Sequence, residues 1–124
     1  MIRSPRHVLA ASMLAALLPL AVQAQMKVGV IASATGPTAA VGIPQKNSAA
    51  LLPKKIGGID VEYIVLDDAS DSTQTVTLVK KLLDELKVDA IIGFSGLPNA
   101  MGTLQFVSEA KTLMLAPPSA VLTR

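Results

Sequence analysis

The stretch from 71 to 93, DSTQTVTLVKKLLDELKVDAIIG, combines one helix and one buried strand in a single run. Its apolar residues recur at intervals of three and four between Val76 and Leu86, which predicts an amphipathic helix capped by Asp71 or Ser72. The apolar run VDAIIG (88–93) that follows predicts a strand buried within a sheet. A helix that leads at once into a buried strand indicates an α/β protein.

Two further strands are predicted on the amino-terminal side of this stretch. The runs KVGVIA (27–32) and IDVEYIVL (59–66) are rich in β-branched residues. Between them, residues 38–55 carry a helical pattern that ends at a glycine pair. Because proline interrupts a helix, we expect Pro44 and Pro53 to confine the regular helix to the residues between them.

One more helix and one more strand are predicted on the carboxyl-terminal side. Pro98 suits the first turn of a helix. The apolar face of that helix comprises Met101, Leu104, Val107 and Ala110. The run TLMLA (112–116) predicts a fourth strand. The order β-α-β-α-β-α-β predicts an α/β fold with a doubly wound parallel sheet. Ligands of such folds bind beyond the carboxyl ends of the strands, where we expect the loops 33–37, 67–72, 94–98 and 116–120.

Residues 1–24 are predicted to be a cleaved signal peptide. Two arginines precede an almost wholly apolar run, VLAASMLAALLPLAV (8–22), and the compact residues VQA (22–24) precede a cut before Gln25. A transmembrane anchor is the alternative, but a bilayer span needs roughly 20 apolar residues, more than this run provides. We therefore expect one folded unit over residues 25–124 with no membrane anchor after cleavage.

Composition excludes several classes of function. The 124-residue chain is 51% hydrophobic and 16% charged, so it is not a disordered protein. Its 11 basic residues outnumber the 9 acidic ones only through the two leader arginines, so residues 25–124 do not favour nucleic acid as a partner. Cysteine is absent and the single histidine, His7, lies in the leader. We therefore expect no metal site, no cofactor and no catalytic activity.

The acidic cluster Asp67, Asp68 and Asp71 has two interpretations. Three carboxylates can bind a divalent cation or an ammonium group, or can resemble the acidic pocket of a phospho-receiver domain. Alternatively, Asp67 and Asp68 end a strand while Asp71 caps the next helix. The second interpretation is favoured, because a receiver domain needs another aspartate after its third strand, where this chain has Phe94.

Ser95 and Gly96 precede Pro98 at a predicted helix start, and this arrangement also has two interpretations. Backbone N–H groups at a helix amino terminus attract carboxylates, and a neighbouring hydroxyl adds a hydrogen bond. The alternative is a plain helix cap. The residues alone leave both open.

Four stretches together resemble the amino-terminal part of the periplasmic branched-chain amino acid binding proteins, the type I solute receptors of ABC importers. They are KVGVIASATGPTAAVG (27–42), IPQKNSAALLPKKIGGIDVEYIVLDDASD (43–71), KVDAIIG (87–93) and EAKTLMLAPPSA (109–120). The Gly-Pro turn at 36–37, the DDASD block and the IIG strand end follow the order and spacing of that family.

The resemblance implies a periplasmic receptor that binds an amino acid or a related small carboxylate between two lobes and works with an ABC permease in the inner membrane. It implies ligand contacts from the loops after the third and fourth strands, here Ser95, Gly96, Leu97, Pro118, Ser119 and Ala120. Members of the family usually have serine or threonine where this chain has Leu97.

Full members of this family are several times longer, so the resemblance implies a truncated first lobe. We expect such a lobe to leave sheet residues partly in water, among them Val28, Val30, Ile64, Ile91 and Ile92. We expect no binding of leucine, isoleucine or valine tighter than millimolar by the isolated chain. Two other classes remain as alternatives. One is a small exported enzyme, which needs a nucleophile–base pair or a metal cluster, whereas residues 25–124 contain neither histidine nor cysteine. The other is a gene fragment that binds no ligand, or an exported interaction module that pairs through its exposed sheet edge.

Overall fold

The computed structural model describes residues 24–116, whose strands form a single sheet. In chain order the elements are β1 (Gln25–Ala32), α1 (Ala39–Ala49), β2 (Lys55–Ile56), β3 (Ile59–Asp67), α2 (Ser72–Lys80), β4 (Ala90–Ile92), α3 (Leu97–Met101), α4 (Leu104–Glu109) and β5 (Leu113–Leu115). The predicted signal peptide lies outside the described residues, apart from Ala24.

The strands lie in the order β2-β3-β1-β4-β5. β1 pairs in parallel with both β3 and β4, and β4 pairs in parallel with β5, as the alternating pattern predicts. β2 is antiparallel to β3 and was not predicted. Gly57 and Gly58 do not simply end a helix; they form a tight β2–β3 turn with φ of +56° and +81°. Positive φ at two consecutive residues suits glycine in a hairpin turn.

Helices cover both faces of the sheet, which confirms the predicted doubly wound arrangement. On one face, α1 packs through Ala49 against Val28, Val30 and Val61. On the other face, α2, α3 and α4 pack on the central strands. That larger cluster comprises Ile31, Val79, Leu82, Leu83, Val88, Ile91, Phe94, Ala100 and Val107.

α2 follows the prediction closely. Asp71 is its N-cap and accepts a hydrogen bond from the Gln74 N–H at 2.8 Å. Val79 and Leu82 are fully buried, because the three-and-four spacing places them on the face towards the sheet. The helix continues into a π-helical turn over Lys81–Glu85, which the sequence pattern did not predict.

The predicted limits of α1 are wrong, because Pro44 lies inside the helix. Proline lacks the N–H that would bond to the Ala40 carbonyl one turn earlier. Both residues are on the exposed side of α1, where water can satisfy that carbonyl. The helix ends at Ala49, before Pro53.

The predicted third helix is divided into α3 and α4. Thr103 separates them; it is fully buried, and its hydroxyl donates to the Ala100 carbonyl at 2.8 Å. Of the predicted apolar face, Val107 faces the core, whereas Met101, Leu104 and Ala110 are exposed, against the prediction. None of the helices within residues 24–116 has the length and apolar character that crossing a membrane requires.

Solvent exposure of the sheet differs from the expectation. Val28, Val30 and Ile91 are buried, because they lie in the central strands beneath helices on both faces. Ile64 and Ile92 are half-buried, as expected. The most exposed apolar side chains of the sheet are instead those of the edge strand β5, Leu113 at 67% and Leu115 at 61%.

Candidate functional site

Three loops meet at the carboxyl edge of the sheet, following β1, β3 and β4. β1 lies between the other two strands, and the parallel register places Ala32 beside Asp67 and Val30 beside Ile92. The chain segments that leave these strands therefore start side by side. This is the edge at which parallel α/β sheets bind their ligands.

The Asp68 carboxylate is the centre of a buried hydrogen-bond network at this edge. Its Oδ1 atom accepts from the Ser33 hydroxyl at 2.6 Å and the Ser70 N–H at 3.1 Å. Its Oδ2 atom accepts from the Thr75 hydroxyl and the Asn99 side-chain amide, both at 2.7 Å. Asp68 is fully buried, and four donors compensate for the loss of water around its carboxylate.

Asp67 lies on the other side of the strand end and stabilises the loop after β1. Partial desolvation acts to raise the pKa of Asp67, but hydrogen bonds outweigh it and hold the pKa below its ordinary value. These bonds come from the Ala69 N–H at 2.9 Å and from the Thr35 hydroxyl and N–H at 2.9 and 3.3 Å. The loops after β1 and β3 are thus joined by a carboxylate.

Ser70 joins the same two loops a second time. Its hydroxyl donates to the Thr35 carbonyl at 2.9 Å, and its oxygen accepts from the Thr38 N–H at 3.1 Å. Gly36 lies between these contacts with φ of +79°, and a Cβ atom there would overlap the Ala69 carbonyl oxygen. A side chain at position 36 would therefore separate the two loops.

Ser95, the first predicted ligand residue, is 4% exposed and has two partners within the protein. Its hydroxyl donates to the Gln45 Oε1 atom at 2.6 Å and accepts from the Ser33 N–H at 2.8 Å. Ser95 does not cap α3. The N-cap residue is Gly96, which has no side chain that could accept a hydrogen bond from the first turn. The plain-cap interpretation of this pair therefore holds for Gly96 and not for Ser95, whose hydroxyl fixes the loop to the end of β1 and to α1.

The other predicted ligand residues divide into two groups. Gly96 is half-buried, and Leu97, the first residue of α3, is 61% exposed beside it. The structure thus joins Ser95 to the loop after β1 through Ser33, and Gly96 and Leu97 follow Ser95 along the chain. Pro118, Ser119 and Ala120 lie outside the described residues.

Comparison with known proteins identifies the family. Residues 25–124 match the family described as periplasmic binding protein. The chain belongs to this family. The resemblance drawn from the four sequence stretches is thereby confirmed, and members of the family are solute-binding proteins, not enzymes. Membership of a periplasmic binding protein family also implies a periplasmic or extracellular location. No curated protein gives a significant match.

Solved structures of periplasmic binding proteins resemble the chain over about three quarters of its length. An extracellular ligand-binding receptor from Rhodopseudomonas palustris HaA2 is 46% identical, with a TM-score of 0.74 over 76% of this chain and 26% of that one. A solute binding protein of an ABC transporter from Rhodopseudomonas palustris BisB5, in complex with 3,4-dihydroxybenzoic acid, is 30% identical, with a TM-score of 0.68 over 77% and 28%.

A leucine binding protein, LivK, from Thermotoga maritima MSB8 is 27% identical, with a TM-score of 0.68 over 74% of this chain and 27% of that one. The chain thus spans about a quarter of the length of these solved periplasmic binding proteins. Their arrangement of strands and helices agrees with the first-lobe assignment made from sequence.

Four polar residues of this periplasmic binding protein chain were missed by sequence reasoning: Ser33, Gln45, Thr75 and Asn99. Thr75 carried a usable signal, because it lies one turn before Val79 on the buried face of α2. A polar side chain at such a position needs a buried partner. The other three carry no local signal, since their partners are 35 to 62 residues away for Ser33, 50 for Gln45 and 31 for the Asn99–Asp68 contact.

The acidic cluster is accounted for by structural contacts. Asp67 and Asp68 accept hydrogen bonds from their own and neighbouring loops, and Asp71 caps α2. Across residues 24–116, no group of three or more acidic or histidine side chains is placed to hold a metal ion. The strand-end and cap interpretation therefore describes this part of the periplasmic binding protein chain.

Proposed function

We propose that the chain supplies the first-lobe part of a periplasmic solute receptor that delivers a small carboxylate to an ABC importer. The observation that carries the proposal is the family match over residues 25–124. The ligand is an amino acid, with branched-chain amino acids first, or a related small acid. The descriptions of two relatives support this class: one is a leucine binding protein, and another is in complex with 3,4-dihydroxybenzoic acid. The partner is an ABC permease of the inner membrane.

The ligand-facing residues in this proposal are those of two loops, Ser95 to Leu97 after β4 and Pro118 to Ala120 after β5. Ser95 anchors the first loop to the protein, since its hydroxyl both donates and accepts a hydrogen bond within the protein. Gly96 and the exposed Leu97 face the ligand. Leu97 offers an apolar contact, which suits a carboxylate next to a branched aliphatic or aromatic group.

A titration followed by nuclear magnetic resonance tests this function. The ¹⁵N-labelled chain is titrated with leucine and with 3,4-dihydroxybenzoate, and in parallel with leucinol and catechol, which lack the carboxylate. We expect the two carboxylates alone to shift the amide signals of Gly96 and Leu97. Binding is expected in the millimolar range, because one side of a pocket leaves most of the ligand in water.

Two outcomes would contradict the proposal. One is the absence of any shift at Gly96 and Leu97 with both carboxylates. The other is an equal shift with the carboxylate-free compounds, which would indicate apolar adsorption at the exposed Leu97. Micromolar binding would support the function but contradict the expectation that the isolated chain binds weakly.

The proposal includes export and cleavage after Ala24. Mass spectrometry of the periplasmic fraction is expected to find a mature chain that begins at Gln25, since the compact residues VQA (22–24) end the apolar run. An intact form that begins at Met1 and stays in the cytoplasm would contradict this part of the proposal.

A further inference from the structure

Asp68 is fully buried, yet its hydrogen bonds lead to both ends of the loop proposed to face a ligand. We infer that Asp68 is a positioning residue, which sets the placement of Gly96 and Leu97 by holding the segment Ser95–Asn99 at both ends. This inference rests on the proposed function of that loop.

The hydrogen bonds of the Asn99 side chain fix the beginning of α3. Asn99 is 6% exposed, and its Nδ2 atom donates to Asp68 Oδ2 at 2.7 Å and to Thr75 Oγ1 at 2.8 Å. α3 has only five residues and no side-chain hydrogen bond at its N-cap. A helix this short has little stability of its own. Its orientation therefore depends on the Asn99 amide and on the packing of Ala100 in the core.

Asp68 restrains Ser95 indirectly, through hydrogen bonds that both involve Ser33. The Ser33 hydroxyl donates to Asp68 Oδ1 at 2.6 Å, while the Ser33 N–H donates to the Ser95 hydroxyl at 2.8 Å. Ser33 is fully buried, so water does not compete for either bond. One carboxylate thus restrains the segment directly at one end and through a single residue at the other. Gly96 and Leu97 lie between the two restraints.

A carboxylate is required because the surrounding groups are donors. The Ser70 N–H faces Oδ1 and can only donate, and the Asn99 amide presents its nitrogen to Oδ2. In Asp68→Asn, the new NH₂ group would face one of these N–H groups, wherever it is placed. Opposite the Ser70 N–H, that NH₂ group has no acceptor. Opposite Asn99, it requires the Asn99 amide to rotate, which breaks the present bond to Thr75. The exchange of the two residues, Asp68→Asn with Asn99→Asp, restores a donor opposite an acceptor at the same contact.

The experiment compares these variants of the full chain. Amide shifts of Gly96 and Leu97 and dissociation constants for leucine and 3,4-dihydroxybenzoate are measured under conditions where urea titration shows each variant to be folded. We expect Asp68→Asn to displace both amide signals and to weaken binding roughly tenfold, as the loss of one hydrogen bond to a charged group does. The exchange variant is expected to recover most of the wild-type shifts and affinity.

A control separates positioning from general stability. Val61→Ala removes a buried side chain from the cluster on the α1 face, which includes neither Asp68 nor any residue of the loop. It is expected to lower the free energy of unfolding while leaving the Gly96 and Leu97 signals in place. Ser33→Ala is the milder variant if Asp68→Asn does not fold, because it removes one of the four donors to Asp68. It should displace the Gly96 signal in part.

The inference is overturned if Asp68→Asn, or Ser33→Ala in its place, moves the loop amides no more than Val61→Ala does. It is also overturned if the exchange variant restores stability but not the loop signals. If the wild-type chain binds neither probe, the proposed function fails, while the amide shifts still decide whether Asp68 positions the loop.

Discussion

Asp67 is the last residue of β3 and Asp68 is the residue after it, and the two adjacent carboxylates have opposite surroundings. Asp68 enters the core side and meets four donors; Asp67 turns to the loop after β1. The acidic pair thus binds the loop after β1 at Ser33 and Thr35, and Asp68 also binds α3 at Asn99. At the residue scale, this edge of the sheet is organised by carboxylates that bind the protein itself.

The low pKa of Asp67 predicts a pH dependence of stability. A carboxyl group whose pKa is lower in the folded state stabilises the fold above its ordinary pKa of 3.8, and this contribution is lost as pH falls through the lower folded value. Asp67→Asn removes the titrating group. We therefore expect the difference in unfolding free energy between wild type and variant to be largest near neutral pH and to shrink below about pH 4.

Urea titrations at several pH values between neutral and strongly acid measure this difference. Asp84→Asn is the matched control, since the Asp84 carboxylate is exposed and makes no hydrogen bond within the described residues. Its difference from wild type should change little across that range. A difference for Asp67→Asn that stays constant with pH would contradict the prediction.

The sequence predicts the structural roles of some residues at this site and not of others. Asp71 was recognisable as one of two candidate caps, because a cap bonds to an N–H three residues along the chain. The Asp68–Asn99 contact spans 31 residues and exists only when α3 is packed beside α2. Local patterns carry no information on such a pair. The predicted role of Ser95 was incomplete for the same reason, since Gln45 approaches it from α1, 50 residues away.

At the scale of elements, the position of α1 depends on a glycine. A Cβ atom on Gly42 would overlap the backbone carbonyl of Ser33, so the helix lies directly against the end of β1. This close approach also brings Gln45, one turn further along, within reach of Ser95. The sequence predicts a helix in this region but not this contact, because the carbonyl it touches belongs to another element.

Gly42→Ala is therefore expected to destabilise the fold. The new methyl group meets rigid backbone, so α1 must move away, and overpacking of this kind costs about 1–3 kcal/mol of unfolding free energy. The loss should appear although alanine favours helix by about 1 kcal/mol over glycine. Urea denaturation measures it, and the Ser95 amide signal should shift as Gln45 withdraws.

Gly102→Ala is the matched control for this substitution. Gly102 has a right-handed helical conformation, and the nearest atom to a Cβ there is the Pro98 carbonyl oxygen at 3.5 Å, an ordinary contact. This variant should be neutral or slightly more stable than wild type. Equal stability of Gly42→Ala and wild type would show that α1 does not depend on the close contact.

At the scale of the whole molecule, the predicted α/β alternation was the reliable part. Each helical crossover joins parallel strands, and this rule leaves few possible sheet topologies. The parallel strands β1, β3, β4 and β5 and the two helical layers follow from it. The distribution of exposed apolar surface did not follow, because it depends on which strand lies at the edge. The strand order places β5 there, and α1 covers only the other half of that face.

The uncovered half of this face is an apolar groove of about 400 Å³ between α1 and β5, bounded by Leu52, Ile92 and Leu115. Within residues 24–116, Leu113 and Leu115 are the most exposed apolar side chains of the sheet. Exposed apolar surface of this kind binds hydrophobic dyes and promotes association. We therefore expect the chain to bind a fluorescent hydrophobic dye in its folded state and to form aggregates as its concentration rises.

Substitutions in the edge strand β5 test whether its exposed leucines cause the dye binding and the aggregation. Leu113→Lys with Leu115→Lys should reduce both dye fluorescence and aggregation, because lysine on an edge strand opposes pairing with another strand. The free energy of unfolding should change by no more than about 0.5 kcal/mol, since these side chains are already mostly in water. Leu51→Lys is the control. Leu51 is 86% exposed and lies in the turn after α1, but it does not line the groove, so its loss should leave dye binding unchanged. Equal dye binding by wild type and the β5 variant would place the apolar surface elsewhere in the molecule.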